Sequence, residues 1–261
     1  MDNQSRSFDL VAEAYLRARS GYPAALFDHI YESASISAAS HILEVGCGSG
    51  QATLAFAGRG SRVVAVDPAK NALDLLETQA QGVSNLDLVH SAFESFETKD
   101  EFDLVASAQA FHWLDLATAP IRFADLLKPG GHVALFWHLQ DVNPDSPQGD
   151  LYRLSSKFFK SFPVLNPPEY GREFIDAMAE VLEQSDHFGP TTITEYPWQQ
   201  AYEGGMFKVL FRSASNYARL DAGAQGEIEA ELENHIAGLS GDPVINYRTC
   251  LIMARSNGPQ G

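Results

Sequence analysis

The residues with the clearest chemical meaning are Glu44 and the three glycines that follow it at every second position, Gly46, Gly48 and Gly50. Glycine has no Cβ, so such a turn after a strand lets the backbone approach a ligand closely, and the next helix offers it unpaired N–H groups. A dinucleotide site needs its third glycine at the position of Gln51, one residue later than here. Glu44 would also repel a pyrophosphate, whereas it suits a ligand with an ammonium group.

A second carboxylate, Asp67, ends the next predicted strand. An acid at this strand end can accept hydrogen bonds from both ribose hydroxyls. The plainer alternative is that Asp67 only caps the following helix. S-adenosyl-L-methionine joins an ammonium, a carboxylate and a ribonucleoside without phosphate, so it satisfies both acids. The sequence therefore predicts this molecule as the cofactor.

Alternating strands and helices are predicted to position these residues between residues 41 and 137. The predicted strands are 41–45, 62–66, 86–90, 102–106 and 132–137, and the helices between them are 51–57, 68–76 and 116–127. Pro129-Gly130-Gly131 is expected to stop the last helix. This alternation is typical of a parallel sheet, whose ligands bind beyond the carboxyl ends of the strands.

The flanking segments have a different pattern. Residues 7–32 read as two helices joined at 21–23, and residues 140–190 read as an insertion that begins with a loop and continues helically. Residues 191–198 and 244–254 alternate as strands that would extend the sheet edge, with helices between them. The acidic run at residues 227–233 indicates a solvated helix face.

Composition limits the function classes. The chain has 261 residues, of which 45% are hydrophobic, and 34 acids against 18 lysines and arginines give a net charge of −16. An acidic surface repels phosphate backbones and anionic lipids, so nucleic-acid and membrane-surface roles are disfavoured. Two cysteines cannot form a disulfide framework, and the start lacks a secretory pattern. We expect a soluble, cytoplasmic protein.

The stretch from residue 41 to 137 resembles the class I S-adenosylmethionine-dependent methyltransferases. The matching pieces are Glu44-x-Gly46-x-Gly48-x-Gly50, Asp67, Phe102-Asp103-Leu104-Val105 and Leu127-Lys128-Pro129-Gly130-Gly131, in the family's order. The resemblance implies an α/β fold with a Rossmann-like, seven-stranded, mostly parallel sheet, an antiparallel edge hairpin and a helical cap.

Two further pieces resemble the trans-aconitate methyltransferase-like branch. They are Tyr15-x-x-x-Arg19-Ser20-x-Tyr22-Pro23 and Ala108-Gln109-Ala110-Phe111-His112-Trp113. The branch implies that the N-terminal segment closes over the cofactor, with Arg19 near the methionine carboxylate and Tyr15 as a second donor to it. Ser20 stands where proline is usual in the branch.

The resemblance also implies a single methyltransferase domain over residues 1–261. Within it, residues 1–40 form the cofactor-closing helices and 41–139 the cofactor-binding core. Residues 140–190 form the helical cap insertion, and 191–261 the edge strands and helices.

Further cofactor contacts are expected after the second and third strands. Pro68 follows the ribose acid, and Ala92 and Phe93 would lie by the adenine edge, where an aromatic ring can pack against the base. Many family members carry an acid at the start of this loop, where this chain has Ser91, and Glu94 is a candidate substitute.

Gln109 and His112 follow the fourth strand and are the catalytic candidates. Methyl transfer is an in-line displacement at a sulfonium, which needs alignment and exclusion of water rather than a covalent protein nucleophile. Gln109 would contact the cofactor or the substrate through its amide. His112 would act as a general base or orient the acceptor, and the alternative is that it only packs in the loop.

The candidate substrate contacts are Trp113, His138, Trp198 and Arg212, of which Arg212 would suit an acidic acceptor. The pair His132 and His138 lacks an evident third ligand, so no metal site is predicted.

Together these features predict an S-adenosylmethionine-dependent methyltransferase acting on a small molecule as a monomer or homodimer. The resemblance favours a carboxylic acid or another oxygen nucleophile as the acceptor. Two alternatives stay open: a non-catalytic S-adenosylmethionine-binding regulatory protein, and an NAD-dependent oxidoreductase, which the early third glycine and Glu44 oppose.

Overall fold

The structure is a computed structural model that describes residues 21–141, 168–202, 205–212, 217, 220–239 and 241–258, without the side chains of 168–170 and 211. Tyr15 and Arg19 lie outside the described residues. So do the first predicted helix and residues 142–167 of the predicted cap insertion.

Seven strands and seven helices are described in this part of the chain. The strands are β1 (His41–Val45), β2 (Arg62–Asp67), β3 (Leu86–His90), β4 (Phe102–Ala108), β5 (Leu127–Gln140), β6 (Thr192–Ala201) and β7 (Val244–Arg255). The helices are α1 (Ala24–Ser33), α2 (Thr53–Gly58), α3 (Lys70–Gln79), α4 (Ala119–Leu126), α5 (Pro168–Glu183), α6 (Met206–Arg212) and α7 (Ala222–Ala237). Short 3₁₀ turns follow β3 at Phe93–Ser95 and β4 at Phe111–Trp113.

The strands form one mixed sheet in the order β3-β2-β1-β4-β5-β7-β6. Strands β1 to β5 are parallel neighbours, and Leu43 pairs with Val64 on one side and Val105 on the other. The order reverses between β1 and β4, which is where α/β sheets bind ligands.

Strand β7 runs antiparallel to β5. The Asp141 N–H donates to the Asn246 carbonyl, whereas the Ser256 N–H donates to the Gly131 carbonyl. Residue numbers therefore rise along β5 as those of its partners on β7 fall. The predicted fold class, a seven-stranded, mostly parallel sheet with antiparallel edge strands, is therefore confirmed.

Strand β5 extends beyond its predicted range of 132–137 at both ends, from Leu127 to Gln140. The prediction that Pro129-Gly130-Gly131 separates helix from strand was wrong. A register shift explains the difference: Phe102 of β4 pairs with Leu127, whereas Leu104 pairs with His132. The extra residues are accommodated as an irregularity in the ladder, which tolerates proline and glycine.

The central strands are buried almost continuously, as expected for a parallel sheet covered on both faces. Helix α1 covers one face through Phe27 and Ile30, and the Phe27 ring meets the Phe56 ring edge-on at 5.1 Å. Burying each such side chain contributes about 1.5–3 kcal/mol. This packing fixes the strand ends that carry the candidate site.

The described part of the chain divides into two compact units. One comprises 21–138, 173–196 and 249–258, and the other comprises the described residues within 139–172 and 197–248. The second unit has its own apolar cluster, in which the buried hydroxyls of Tyr202 and Tyr247 share a 2.6 Å hydrogen bond.

Candidate active site

The glycine turn joins β1 to α2 at the carboxyl end of the sheet. The N–H groups of Gly46 and Cys47 both donate to the Val66 carbonyl, at 2.8 and 3.2 Å. Gly46 has φ +74°, and a Cβ added there would lie 2.3 Å from the Ala110 Cβ. The first glycine is therefore required by the close approach of the segment that follows β4.

Gly48 has a different surrounding from the glycines on either side. Its φ is +53°, and a Cβ added there would project into open space, with no atom within 4 Å. At Gly50, by contrast, an added Cβ would clash with the Leu76 side chain at 2.1 Å. Two of the glycines thus serve packing, and Gly48 leaves room for a ligand.

Asp67 holds the turn in place. Its Oδ2 accepts a 2.8 Å hydrogen bond from the Gly48 N–H, and its Oδ1 accepts a 2.7 Å bond from the Ala69 N–H. The second bond closes a turn just before α3, whose N-cap residue is Ala69, so Asp67 is not the helix cap that the sequence offered as an alternative to ribose binding. Because a carboxylate oxygen has two acceptor positions, both oxygens can still accept from a hydroxyl.

Glu44 is buried, with 1% of its surface exposed. Its Oε2 accepts a 2.6 Å hydrogen bond from the Thr53 hydroxyl, whereas Oε1 has no partner among the described residues. Burial raises the pKa of Glu44 to about 8, and the nearby Asp67 charge adds to the rise. A buried acceptor without a partner costs about 1–3 kcal/mol, so a cationic N–H donor would stabilise this position.

Gln109 has a strained backbone at the end of β4. It has φ +59°, which is uncommon for a residue with a Cβ, and its N–H donates to the Phe136 carbonyl at 2.9 Å. No hydrogen bond of its side-chain amide occurs within the described part of the chain. The strained turn places the next residue, Ala110, against Gly46.

His112 lies two residues further on, among aromatic rings. The Trp137 indole N–H donates to its Nδ1 at 3.2 Å, and the Phe174 ring meets it edge-on at 5.5 Å. Burial lowers the pKa of His112 below its ordinary value of 6.5. Its neighbour Trp113 is 76% exposed.

The predicted adenine contacts lie around the 3₁₀ turn after β3. Phe93 is buried, and its ring packs edge-on against Phe123 at 5.1 Å. The Pro68 carbonyl accepts a 3.0 Å hydrogen bond from His90 Nε2. Ala92 directly precedes the turn.

The remaining substrate candidates already have partners. His138 stacks on Tyr22 with a centroid distance of 4.3 Å, and its Nδ1 lies 2.8 Å from the Thr249 hydroxyl. Trp198, in the other unit, stacks on Tyr247 at 4.5 Å.

Arg212 is paired with an acid that sequence reasoning had assigned to a solvated helix face. The guanidinium donates to both carboxylate oxygens of Glu229, at 2.7 and 2.5 Å. Tyr217 donates to the same carboxylate at 2.8 Å, and together they lower the pKa of Glu229 to about 2.

The described ranges contain neither a metal-binding cluster nor a membrane-spanning helix. No group of three histidine, cysteine or acidic side chains is arranged to hold a metal ion within these ranges. None of the described helices is both long and apolar enough to cross a bilayer.

Comparison with known proteins identifies the central stretch. Residues 43–135 match the family model described as a methyltransferase domain. An uncharacterized methyltransferase from Mycobacterium tuberculosis is 36% identical over 139 residues, which is 53% of this chain and 55% of that protein. The chain therefore spans about half the length of this curated relative.

Solved structures share the fold over a longer range. A candidate type II methyltransferase from Anaeromyxobacter dehalogenans superposes with a TM-score of 0.60 at 22% identity, covering 91% of this chain and 97% of that one. An S-adenosylmethionine-dependent methyltransferase from Thiobacillus denitrificans, solved with S-adenosyl-L-homocysteine, gives a TM-score of 0.55 at 14% identity, covering 94% and 97%. The prediction of a class I methyltransferase domain is confirmed for the stretch that the family model covers.

Proposed function

We propose that the whole chain transfers the methyl group of S-adenosylmethionine to a small molecule. The observation that carries the proposal is the pairing of a buried, half-satisfied Glu44 carboxyl with a glycine turn whose middle residue, Gly48, faces open space. A cationic ammonium group fits the unpartnered oxygen of Glu44. A ligand that lies close to the protein backbone fits the open space at Gly48. The residues present therefore fit this cofactor.

The cofactor supplies a methyl group on a sulfonium, and the chain supplies binding and orientation. Glu44 would receive the ammonium, and Asp67 would accept from the ribose hydroxyls while it holds the turn. Pro68, Ala92 and Phe93 would border the adenine.

Two predicted contacts of the methionine carboxylate lie outside the described residues. Tyr15 and Arg19 would bind that carboxylate from the N-terminal segment. A guanidinium pairs with a carboxylate through two parallel hydrogen bonds, so Arg19 is the stronger of the two.

The acceptor would lie beyond β4, near Gln109 and His112. We propose a carboxylic acid or another oxygen nucleophile, in keeping with the resemblance to the trans-aconitate methyltransferase-like branch. Trp113 and His138 are further candidate contacts. Trp198 and Arg212 stay predictions from the sequence, and Arg212 could bind an acceptor only by giving up its bidentate pairing with Glu229.

The rest of the proposal concerns the whole protein. We propose a single-domain enzyme of the cytoplasm that works as a monomer or homodimer without nucleic-acid or membrane partners. The net charge of −16 supports the exclusion of nucleic-acid and membrane partners, because it opposes binding to polyanions.

A turnover assay tests the proposal. The full chain is incubated with methyl-labelled S-adenosylmethionine and a panel of small carboxylic acids and phenols, and products are read by mass spectrometry. We expect one methylated product together with S-adenosylhomocysteine. Binding of the cofactor without any methylated product, including from a metabolite extract, would contradict catalysis and favour a regulatory role.

A further inference from the structure

The hydrogen bond between Trp137 and His112 determines where the imidazole carries its proton. Trp137 lies on β5 and is 2% exposed, and its indole nitrogen donates to His112 Nδ1 at 3.2 Å. An indole nitrogen is only a donor, so Nδ1 must be the acceptor and must lack a proton.

The charge on His112 follows from its surroundings. Burial is the one cause that moves its pKa, and it moves the pKa downwards. Its ring neighbours are the aromatic side chains Trp113, Trp137 and Phe174. No acid among the described residues acts on the ring to stabilise an imidazolium, so the ring is neutral at pH 7 and its single proton resides on Nε2.

The Nε2–H group is available to a ligand. His112 is partly exposed, and no hydrogen bond of Nε2 occurs within the described part of the chain. The residue sits in the 3₁₀ turn that begins one residue after Ala110, the residue in contact with Gly46. The Nε2–H donor therefore follows the carboxyl end of β4, in the segment that contacts the glycine turn after β1.

We propose that His112 selects the methyl acceptor by donating its Nε2–H to an acceptor oxygen, and that it does not act as a general base. The proposal rests on the function proposed above and narrows it to acceptors with an anionic oxygen, such as a carboxylate. The carboxylate oxygen bonds to the methyl carbon as the carbon–sulfur bond breaks. The electron pair stays on sulfur, and no proton is transferred.

The tautomer is measured on the unliganded full chain. Long-range proton–nitrogen correlation spectra of ¹⁵N-histidine-labelled protein at pH 7 should show a protonated Nε2 and an unprotonated Nδ1 for His112. Trp137→Phe, which removes the indole donor, should give a mixture of both tautomers. A protonated Nδ1, or an imidazolium, in the wild-type protein would overturn the proposal.

Kinetics on an acceptor found by the turnover assay test the role. His112→Gln keeps an N–H donor, so we expect it to stay within about threefold of the wild-type rate, whereas His112→Phe should lose about 30-fold or more, mainly through KM. The wild-type rate should stay level as the pH falls from 7 to 5.5, because an imidazolium still donates its Nε2–H, whereas a general base would lose activity as it is protonated. His187→Gln is the control for replacing a histidine by glutamine, because His187 is a half-buried histidine between α5 and β6.

Other outcomes distinguish a failure of the role proposed for His112 from a failure of the proposed methyltransferase function. A glutamine variant as inactive as the phenylalanine variant, with a wild-type rate that rises with pH, would show a general base and overturn the inference. Methylation of amines alone would also overturn it. Failure to bind S-adenosylhomocysteine would contradict the proposed function, whereas the tautomer stays measurable in that case.

Discussion

Individual residues of the glycine turn have separate tasks, which the spacing of the motif does not reveal. The sequence predicts the three glycines, Glu44 and Asp67 as one constellation, and the structure places them around the ends of β1 and β2. The sequence cannot tell that Gly46 and Gly50 are needed for packing against Ala110 and Leu76. Those contacts join residues that are far apart in the chain.

The open position at Gly48 gives a sharp test of cofactor binding. Gly48→Ala would place a methyl group in the space reserved for the ligand, so we expect S-adenosylhomocysteine affinity to fall by at least about tenfold. Isothermal titration calorimetry measures the change.

Gly82→Ala is the matched control for that variant. Gly82 also has a positive φ, +87°, with nothing near an added Cβ, but it lies in the turn after α3. Both variants should lose about 1 kcal/mol of stability from backbone strain, and Gly82→Ala should bind normally. Equal affinity in the two variants would contradict the assignment of Gly48.

Glu44 should make the unliganded protein less stable at high pH. Its folded pKa of about 8 exceeds the ordinary value of 4.5, so its contribution to stability is complete below pH 4.5 and is lost as pH rises towards 8. Glu44→Gln keeps an acceptor for Thr53 and does not titrate. Its free energy of unfolding, relative to wild type, should rise by about 1–3 kcal/mol between pH 5 and 8.

Urea unfolding at the two pH values measures this difference. Glu77→Gln, an exposed acid on α3, is the control and should show no such change. The same Glu44→Gln protein should bind S-adenosylhomocysteine about tenfold more weakly, because a glutamine cannot ionise to the carboxylate that a bound ammonium would stabilise. A variant that becomes relatively less stable at pH 8 would contradict the buried position of Glu44.

At the scale of elements, the alternation of strands and helices could be predicted because strand burial and glycine or proline stops are local signals. The bounds of β1 and β3 agree with the prediction. The start of β5 was mispredicted, because the pairing of Phe102 with Leu127 is a long-range contact that overrides the local preference of Pro129-Gly130-Gly131 for a turn.

Side-chain partners between elements could not be predicted either. Thr53 on α2 bonds Glu44 on β1, and Glu229 on α7 bonds Arg212 on α6. The alternating acids of residues 227–233 gave no signal that one of them is part of an ion pair.

The ion pair between α6 and α7 should contribute stability that acid removes. Glu229 has a pKa lowered to about 2, so its contribution is complete above pH 4.5 and is lost as pH falls through about 2. Glu229→Gln should lower the unfolding free energy at pH 7 by about 1 kcal/mol, since Arg212 is half exposed and screened by solvent.

Thermal unfolding from pH 7 to 3 tests this expectation. The gap between wild type and Glu229→Gln should narrow as pH falls. Glu227→Gln, an exposed acid on the same helix, should behave as wild type throughout. A gap that is constant with pH would show that the pairing with Arg212 does not stabilise the helices.

At the scale of the molecule, burial of three histidines predicts sensitivity to mild acid. Burial lowers the pKa of His41, His112 and His132 below 6.5. Their contribution is complete above pH 6.5 and is lost as pH falls through the lowered values. We expect the free energy of unfolding to fall between pH 6.5 and 5. The measurement is made in the Glu44→Gln background, because Glu44 titrates in the opposite sense, and a rise in stability would contradict the expectation.

The class of fold could be predicted for the whole molecule, because the order of glycine turn, strand-end acid and alternating elements is distinctive. The division into two compact units could not, because it depends on which distant apolar residues cluster together. Tyr202 and Tyr247, for example, are separated by two helices in the sequence yet share a buried hydrogen bond.

The central claim is that the chain recognises a charged amino-acid nucleoside. Isothermal titration calorimetry of the full chain with S-adenosylhomocysteine and, separately, with NADH tests it most directly. We predict saturable binding of one S-adenosylhomocysteine per chain and no saturable binding of NADH over the same concentrations. Tighter binding of NADH, or no heat of binding with S-adenosylhomocysteine, would contradict the account.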